Sequence, residues 1–424
     1  MKTPTLLTRR APEEITAAAA ARPDESTQRI AIDIVEDVRT RGRSAALEHA
    51  QALGDLQKDA PPGSEWLGPT QLEDAFRALP AEQQGVLERT AAQIRAFAQA
   101  QFDGLVPLDT AVPGGRAGHR WLAARTVGAY APGGRYPLPS SVLMTAIPAR
   151  IAGVTTVLVA SPKAAPATLA AAHVAGADGL LSIGGAQAIA ALAFGTHASP
   201  ADVIVGPGNR FVTAAKKHLA YEVGIDGLAG PSELLVIADQ TADPALIAAD
   251  LLAQAEHDPD ARAILVTTSE PLGEAVELQL ERQLQDLPTA PIARSALANA
   301  GAYVHVDSLE QAAQVSDALA PEHLELMVAD PNALAERVRC YGGLFVGAQS
   351  AEVFGDYGVG PNHVLPTGRG GRFQAGLSVL TFLRASTWLQ LDQPQDLTAD
   401  SARLARIEGL EAHARAAERR GSPL

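Results

Sequence analysis

Short apolar runs alternate with helical stretches along most of the chain after Tyr130, and this alternation constrains the fold most strongly. The apolar runs at 156–160, 179–183 and 202–205 are separated by segments whose apolar residues recur at helical spacing. The pattern resumes at 234–238 (LLVIA) and continues to 343–347 (GLFVG). Such alternation is typical of right-handed β-α-β crossovers and parallel sheets. The sequence therefore predicts two α/β units.

Both ends of the chain lack this alternation. Helical spacing covers 13–50, with a break at 22–24, and returns at 71–101. Residues 400–419 form another helical stretch with interspersed Arg and Glu. The Gly- and Pro-rich stretch 103–139 is typical of a linker or a functional loop. We expect helical appendages at both ends and a domain boundary near Tyr130.

Composition excludes several classes of partner. The 48 Asp and Glu outnumber the 34 Lys and Arg, which gives a formal net charge of -14 and repels nucleic-acid phosphates and anionic lipid. The longest uncharged run, 179–201, contains Gln187, His197, glycines and a proline, which is poor for a membrane span. We expect no nucleic-acid partner and no membrane association.

Cysteine usage points to a reducing compartment. Cys340 is the only cysteine, so neither an intrachain disulfide nor a zinc site of several thiolates can form. The first 14 residues lack the apolar core of a secretory signal. The sequence favours a cytoplasmic protein.

Glycine-rich loops follow several of the predicted strands. The usual phosphate-binding fingerprints GxGxxG and GxxxxGK[ST] are absent, but glycines cluster at 131–134, 184–187 and 206–209. Loops at the carboxyl ends of parallel strands form the ligand crevice of an open sheet. Each loop taken alone fits a tight turn equally well.

Two pairs of polar residues lie on predicted helices. Gln254 and His257 are spaced i, i+3, which places them on one helix face, as two metal ligands require or as a helix-end pair would be. Glu408 and His413 are spaced i, i+5, which does not align them on one face. On spacing alone neither pair establishes a site.

Two further pairs lie in loops. Glu322 and His323 are adjacent at the mouth of a predicted strand and could carry protons in successive steps on one substrate, or could be solvated surface residues. Asp356 and His363 lie seven apart in a Gly- and Pro-rich segment and could converge on a cation or a polar ligand. An ordinary surface turn is the alternative for the second pair.

Taken in order, the motifs resemble the histidinol dehydrogenase family, zinc enzymes that oxidise L-histidinol to L-histidine with two NAD. The resemblance runs from about Val127 to Val379 and continues more weakly to His413. It is carried by the segments VGAYAPGGRYPLPSSVLMTAIPARIAGV, GGAQAIAALAFGT, VGPGNRFVTAAK, GIDGLAGPSELLVIAD, LLAQAEHDP, APEHLEL, GDYGVGPNHVLPTGRGGRF and GLSV.

The resemblance implies a role for each matching residue. It implies Glu322 and His323 as the catalytic pair, and the zinc ligands Gln254, His257, Asp356 and His413. It implies NAD contacts from Tyr130, Gln187 and Asn209. Substrate contacts are implied for Ser232, Gln254, His257, His323, Asp356, His363, Glu408 and His413.

The same resemblance implies the architecture. Two incomplete Rossmann-like parallel-sheet domains are expected, one inserted in the other, with helical N- and C-terminal appendages. The expected boundaries are 1–25 for the N-terminal helical segment, 26–129 plus 234–380 for the main domain, 130–233 for the inserted NAD-contacting domain, and 381–424 for a helical tail. The tail is expected to pack on the partner subunit of a homodimer and complete a shared active site.

The implied chemistry removes four electrons. Zinc orients histidinol, His323 takes the hydroxyl proton, and Glu322 activates water so that histidinaldehyde forms a hydrate. A thiohemiacetal would need a nucleophilic cysteine, and Cys340 lies outside every matching segment. A paralogous zinc and NAD dehydrogenase of another small polar alcohol is the alternative, and a non-catalytic homologue is a further one.

Overall fold

A computed structural model describes residues 6–17, 25–133 and 137–421. The predicted helix break at 22–24 and residues 134–136 of the loop after Tyr130 lie outside the described residues. Among the described residues, no helix combines the length and the apolar character that crossing a membrane requires.

The secondary structure follows the predicted alternation. The first elements are β1 (Thr8–Arg9), α1 (Pro12–Ala17), α2 (Glu25–Arg41), α3 (Arg43–Ala52), β2 (Trp66–Leu67), α4 (Pro69–Ala78), α5 (Ala81–Asp103), β3 (Leu108–Val112) and β4 (Gly115–Ala123). Next come β5 (Thr126–Tyr130), α6 (Pro139–Ile151), β6 (Thr156–Ala160), α7 (Pro166–Ala175), β7 (Gly179–Leu181), α8 (Gly185–Phe194), β8 (Val203–Val205), α9 (Arg210–Leu219) and β9 (Gly224–Ile225).

The second half begins with β10 (Glu233–Ala238), α10 (Pro244–Ala255), β11 (Arg262–Thr267), α11 (Glu270–Gln283), α12 (Ala290–Ala300), β12 (Ala302–His305), α13 (Leu309–Leu319), β13 (His323–Met327), α14 (Pro331–Ala335), β14 (Gly343–Val346) and α15 (Glu352–Tyr357). Two short 3-10 turns (Gly370–Arg372 and Val379–Phe382) precede β15 (Leu383–Leu391), α16 (Gln395–Ile407) and α17 (Glu411–Glu418).

Two six-stranded sheets organise the molecule. The host sheet has the order β1-β12-β11-β10-β13-β14 and is parallel throughout. The insert sheet has the order β2-β7-β6-β5-β8-β9, with only β2 antiparallel. Because the chain begins in the host sheet at β1, forms the insert sheet and then returns to the host sheet, the predicted insertion of one α/β unit into the other is confirmed.

Burial on both faces explains why the strands read as continuous apolar runs. All six residues of β10 are buried, and successive residues point to opposite faces. Leu234 and Val236 pack into the core on one face of the host sheet, and Leu235 and Ile237 into the core on the other. Each central strand is therefore fixed in register by two cores.

The helices before the insert sheet belong to a different unit from the one predicted. Residues 26–129 were expected to join 234–380, but α2 and α3 pack on α8 and α9, and α4 and α5 pack on α7 and α6 of the insert unit. Val35 and Val38 enter a core of the insert sheet. Helical periodicity identifies the apolar face of a helix but not the sheet that will cover it.

A third, antiparallel sheet was not predicted. It has the order β15-β4-β3 and joins residues from the expected linker (103–139) to the expected helical tail (381–424). Neither β4 nor β15 is continuously buried, so the apolar signal is weak in both. At Gly118 a Cβ atom would overlap the Leu108 carbonyl, so this glycine allows close strand pairing rather than a loop.

Candidate active site

The Glu322–His323 pair is held by one backbone segment of the host sheet. The amide of Glu233 donates to Glu322 Oε2 at 2.9 Å, and His323 Nδ1 lies 3.1 Å from the Glu233 carbonyl oxygen. Because a carbonyl only accepts, Nδ1 carries the proton and Nε2 keeps its lone pair. His323 Nε2 is buried without a hydrogen-bond partner among the described residues, which suits a general base.

Burial sets the charge of the pair. It raises the pKa of the Glu322 carboxyl well above its usual range, and the nearby carboxyl groups of Glu233 and Asp356 raise the pKa further. Burial also lowers the pKa of the His323 imidazole to about 3. His323 is therefore neutral near pH 7 and free to accept a proton.

Three ligand atoms converge beside this pair. His257, Glu352 and Asp356 place one ligand atom each within 4.8 Å of one another. Glu352 and Asp356 lie one turn apart on α15, and the exposed His257 follows the end of α10. His323 Nδ1 lies 3.7 Å from Glu352 Oε1, and His323 Nε2 lies 4.0 Å from Asp356 Oδ1. The Glu322–His323 pair and this cluster thus lie together in one candidate site.

Gln254 faces the cluster from the last turn of α10. It is fully buried, and with its amide nitrogen toward Glu352 it donates to Oε1 at 3.0 Å and to Oε2 at 3.2 Å. The predicted ligand set therefore converges, apart from His413. Glu352 was not predicted, although its i, i+4 spacing to Asp356 in SAEVFGDYG was a readable signal.

The chemistry of the cluster fits a bound divalent cation. Burial raises the pKa of Glu352 well above its usual range and that of Asp356 to about 6. Buried carboxylates are unfavourable unless they are paired or coordinate a cation. An N/O set at this spacing, with imidazole and carboxylate groups, is compatible with zinc.

The site lies between the two α/β units. His363 Nδ1 is 3.1 Å from the Asp356 carbonyl oxygen, and its Nε2 is 3.4 Å from Ser141 Oγ on α6. Asn362 donates to the Met144 carbonyl on the same helix at 2.6 Å. Burial lowers the pKa of His363 to about 4. Residues 362–363 thus join the cluster to the insert unit.

Ser232 lies next to Glu233, whose backbone contacts the predicted catalytic pair. It directly precedes Glu233, the first residue of β10, and its carbonyl accepts from Arg262. The predicted substrate residue is therefore adjacent to the site, at the amino end of the central host strand.

The three predicted NAD residues follow strands of the insert sheet. The Tyr130 hydroxyl accepts from Gly185 N at 3.2 Å, which joins the ends of β5 and β7. Gln187 is fully buried, and neither of its amide atoms has a hydrogen-bond partner among the described residues. Asn209 Oδ1 caps α9 at 3.0 and 3.2 Å, which leaves the amide nitrogen for a ligand.

Glycines let the backbone approach closely at this edge of the insert sheet. Gly206 has a φ of 106°, and a Cβ there would overlap the Tyr130 carbonyl. The loops predicted at 184–187 and 206–209 both lie at carboxyl ends of parallel strands, as ligand loops of open sheets do. The predicted catalytic pair, Glu322 and His323, lies instead at the amino end of a strand, β13 of the host sheet.

Glu408 and His413 are not brought to this cluster within one chain. Both are exposed, and the metal-competent group among the described residues contains neither. Helices α16 and α17 pack on each other and make no comparably extensive contact with another described helix or strand. Within a single chain, these two residues of the predicted site are therefore not part of the cluster.

The chain is similar to known proteins along most of its length. The family model described as histidinol dehydrogenase matches residues 18–421. A histidinol dehydrogenase from Parasynechococcus marenigrum is 45% identical over 397 residues, covering 91% of this chain and 89% of its own length. One from Thermus thermophilus is 44% identical over 417 residues, covering 97% and 99%.

The chain belongs to the histidinol dehydrogenase family.

The fold supports the same membership. A crystal structure of histidinol dehydrogenase from Elizabethkingia anophelis superposes with a TM-score of 0.91 at 31% identity, covering 99% of this chain and 98% of that one. As a member of the histidinol dehydrogenase family, the protein is an oxidoreductase of histidine biosynthesis.

Proposed function

We propose that this protein oxidises L-histidinol to L-histidine through histidinaldehyde, with two NAD reduced for each substrate, as the final step of histidine biosynthesis. The observation that carries the proposal is that His323, whose Nε2 has no hydrogen-bond partner among the described residues, lies beside Glu322 and beside the cluster of His257, Glu352 and Asp356. Family membership supplies the substrate class.

Zinc is the cation that we propose for the cluster. His257 and Asp356 would hold it, with Gln254 as a third ligand after its amide turns from Glu352 and with His413 of the partner subunit as a fourth. When bound, zinc would hold and orient the amino and imidazole nitrogens of histidinol. Neighbouring carboxylates such as Glu352 suit a cationic substrate.

The proposed first oxidation uses His323. Its Nε2 accepts the proton of the substrate hydroxyl while the carbon loses hydride, so one proton and one hydride, which carries two electrons, leave and an aldehyde forms. NAD, when bound, accepts the hydride. Tyr130, Gln187 and Asn209 would hold NAD at the carboxyl edge of the insert sheet, where the amide atoms of Gln187 lack other partners.

The proposed second oxidation uses Glu322. Its carboxylate takes a proton from water as the water oxygen attacks the aldehyde carbon, and the aldehyde oxygen takes the proton that His323 accepted in the first step, which gives a hydrate. The hydrate loses a second hydride and a proton, which gives the carboxylic acid. Cys340, the only cysteine of the chain, lies between α14 and β14 with its amide bonded to Asp317, so the thiohemiacetal route has no thiol at the site.

The exposed tail supports a homodimer. Leu404, Ile407 and Leu410 on the tail are exposed, as are Phe354 and Tyr357 on α15 beside the cluster. Exposed apolar surface of this kind marks an interaction site. We propose that α16 and α17 of each subunit cover the α15 region of the other, bringing Glu408 and His413 to the site. We place the protein in the cytoplasm, where its free thiol would stay reduced.

Oxidation of a panel of small polar alcohols tests the proposed substrate. The zinc-loaded protein is expected to reduce NAD with L-histidinol at a kcat/KM on the order of a hundredfold above that for other alcohols, because buried polar groups discriminate strongly against substrates that leave them unpaired. A higher value with another alcohol would indicate a paralogous dehydrogenase. Zinc binding without NAD reduction by any alcohol would indicate a non-catalytic homologue.

A further inference from the structure

Two carboxyl groups behind the metal cluster have no role in the proposed reaction. Glu325 is buried on β13, two residues after His323 and therefore on the same face of the strand. Its Oε1 accepts from the backbone amide of Glu352, the first residue of α15, at 2.7 Å. Asp250 lies on α10, one turn before Gln254, and burial, followed by the nearby Asp250 carboxyl group, raises the pKa of the Glu325 carboxyl.

This contact compensates for a missing helix cap. The residue before α15 is Ala351, which offers no side-chain acceptor for the free amides of the first turn. A helix of six residues is not stable by itself, so its position depends on such contacts. Glu325 supplies the acceptor from the neighbouring strand.

The Asp250–Glu325 pair joins all three elements of the metal cluster. Helix α10 leads into His257, strand β13 begins with His323, and α15 carries Glu352 and Asp356. The Glu352 side chain in turn faces Gln254 on α10, which closes a ring of contacts. A displacement of α15 would move two carboxylates away from His257 at once.

We propose that Glu325 is a positioning residue that fixes α15, through its bond to the Glu352 amide, so that Glu352 and Asp356 face His257. The inference rests on the proposed metal site and adds to it a supporting residue that touches neither substrate nor metal. Groups that orient metal ligands typically change metal affinity by tens of fold when removed.

Zinc affinity of the full-length protein, measured by competition with a chromogenic chelator, tests the role. Glu325→Leu is expected to bind zinc about 10- to 100-fold more weakly than the parent protein. Glu325→Gln keeps an oxygen for the Glu352 amide and gains a donor for Asp250, so it is expected to retain the parent affinity. The leucine variant should also raise the KM for histidinol more than it lowers kcat.

Asp239→Asn is the matched control. Asp239 is a buried carboxylate at the opposite end of β10, where it accepts from Ala329 and Thr241, so its loss should leave zinc affinity unchanged. If Glu325→Leu does not fold by circular dichroism, Glu325→Ala, which also lacks an acceptor for the Glu352 amide, is measured in its place, with the same expected weakening.

Unchanged zinc affinity in the leucine variant or its substitute, or equal loss in Glu325→Leu and Glu325→Gln, would overturn the positioning role. Absence of stoichiometric zinc in the parent protein would instead overturn the proposed metal site. The two failures are therefore distinguishable.

Discussion

At the residue scale, the different steps proposed for His323 and Glu322 follow from the contacts of each side chain. The Glu233 carbonyl fixes His323 Nδ1 and leaves Nε2 for the substrate, while the Glu233 amide holds the Glu322 carboxyl group. His323 Nδ1 and Glu322 Oε2 are 3.8 Å apart, so the two groups lie close enough to serve one substrate in the proposed reaction. In that proposal the two oxidations depend on different residues.

Glu322→Gln should separate the two oxidations. The amide cannot take a proton from water, so hydration of the aldehyde is expected to slow by about 10²- to 10⁴-fold, while His323 still serves the first step. In single-turnover reactions with an aldehyde trap, the NADH formed per histidinol should fall from two toward one. Asp239→Asn, a buried carboxylate remote from the pair, is the control. Equal slowing of both steps would contradict the separate roles.

The residues of the site were predictable to the extent that each lies in a contiguous motif. Glu322 and His323, and the Gln254 and His257 pair, were identified from adjacency and helical spacing together with the resemblance. Glu352 was missed although it lies i, i+4 from Asp356, because its contact with Gln254 on another helix leaves no periodic signal in the sequence. Glu325 was missed because its contact with the Glu352 amide also joins two separate elements.

At the element scale, a buried histidine of the insert unit contacts the segment that links the N-terminal helices to the insert sheet. His197, in the loop after α8, places Nε2 3.3 Å from Glu65 Oε1, directly before β2, and its Nδ1 lies 2.7 Å from Thr196 Oγ1. Arg43 at the start of α3 also pairs with Glu65. Burial, followed by the nearby Arg43 cation, lowers the pKa of His197 despite the opposing effect of Glu65.

This histidine should make stability depend on pH. Because the pKa of His197 is lower in the folded state, the unfolded chain binds more protons below about pH 6.5, and stability is lost as the pH falls. The free energy of unfolding of the parent protein, from urea titrations at pH 7.5 and 5.5, should fall more than that of His197→Gln. His173→Gln, at a half-buried histidine of the same unit, is the control. An equal fall in parent and His197→Gln would contradict the assignment.

The elements themselves were predictable where both faces of a strand are buried. The continuous apolar runs of β6, β10 and β11 and the helices between them were identified from the sequence, whereas β5 was not, because it lies in the Gly- and Pro-rich stretch expected to be a linker or loop. The β3-β4-β15 sheet was not, because it packs little apolar surface and β15 pairs with a strand more than 260 residues earlier. Long-range pairing of half-exposed strands leaves only a weak pattern.

At the scale of the whole molecule, the proposed dimer explains why an exposed tail carries two residues of the predicted site. His413 on α17 and Glu408 after α16 are exposed in one chain, and so are apolar residues of both helices and of α15. The chain order alone could not indicate whether the tail returns to its own subunit or crosses to another. The exposed surfaces favour crossing, with each site built from two chains.

Mixing two inactive variants tests the shared site. In a hybrid dimer of His323→Ala and His413→Ala subunits, one of the two sites contains neither substitution if His413 acts across the interface. Random exchange should then restore up to about a quarter of the parent activity, since half of the dimers are hybrids with one intact site each. Each variant alone is the control. No recovery after exchange has been demonstrated by mass spectrometry would contradict a shared site.

The most direct test of the four-electron assignment is the number of NADH formed for each L-histidinol consumed, measured with and without a zinc chelator and with the product identified. The arrangement of Glu322, His323 and the cluster predicts two NADH, L-histidine as the product, and loss of activity on chelation that zinc restores. One NADH with accumulated histidinaldehyde would contradict the hydrate step at Glu322, and full activity in the metal-free protein would contradict the zinc site.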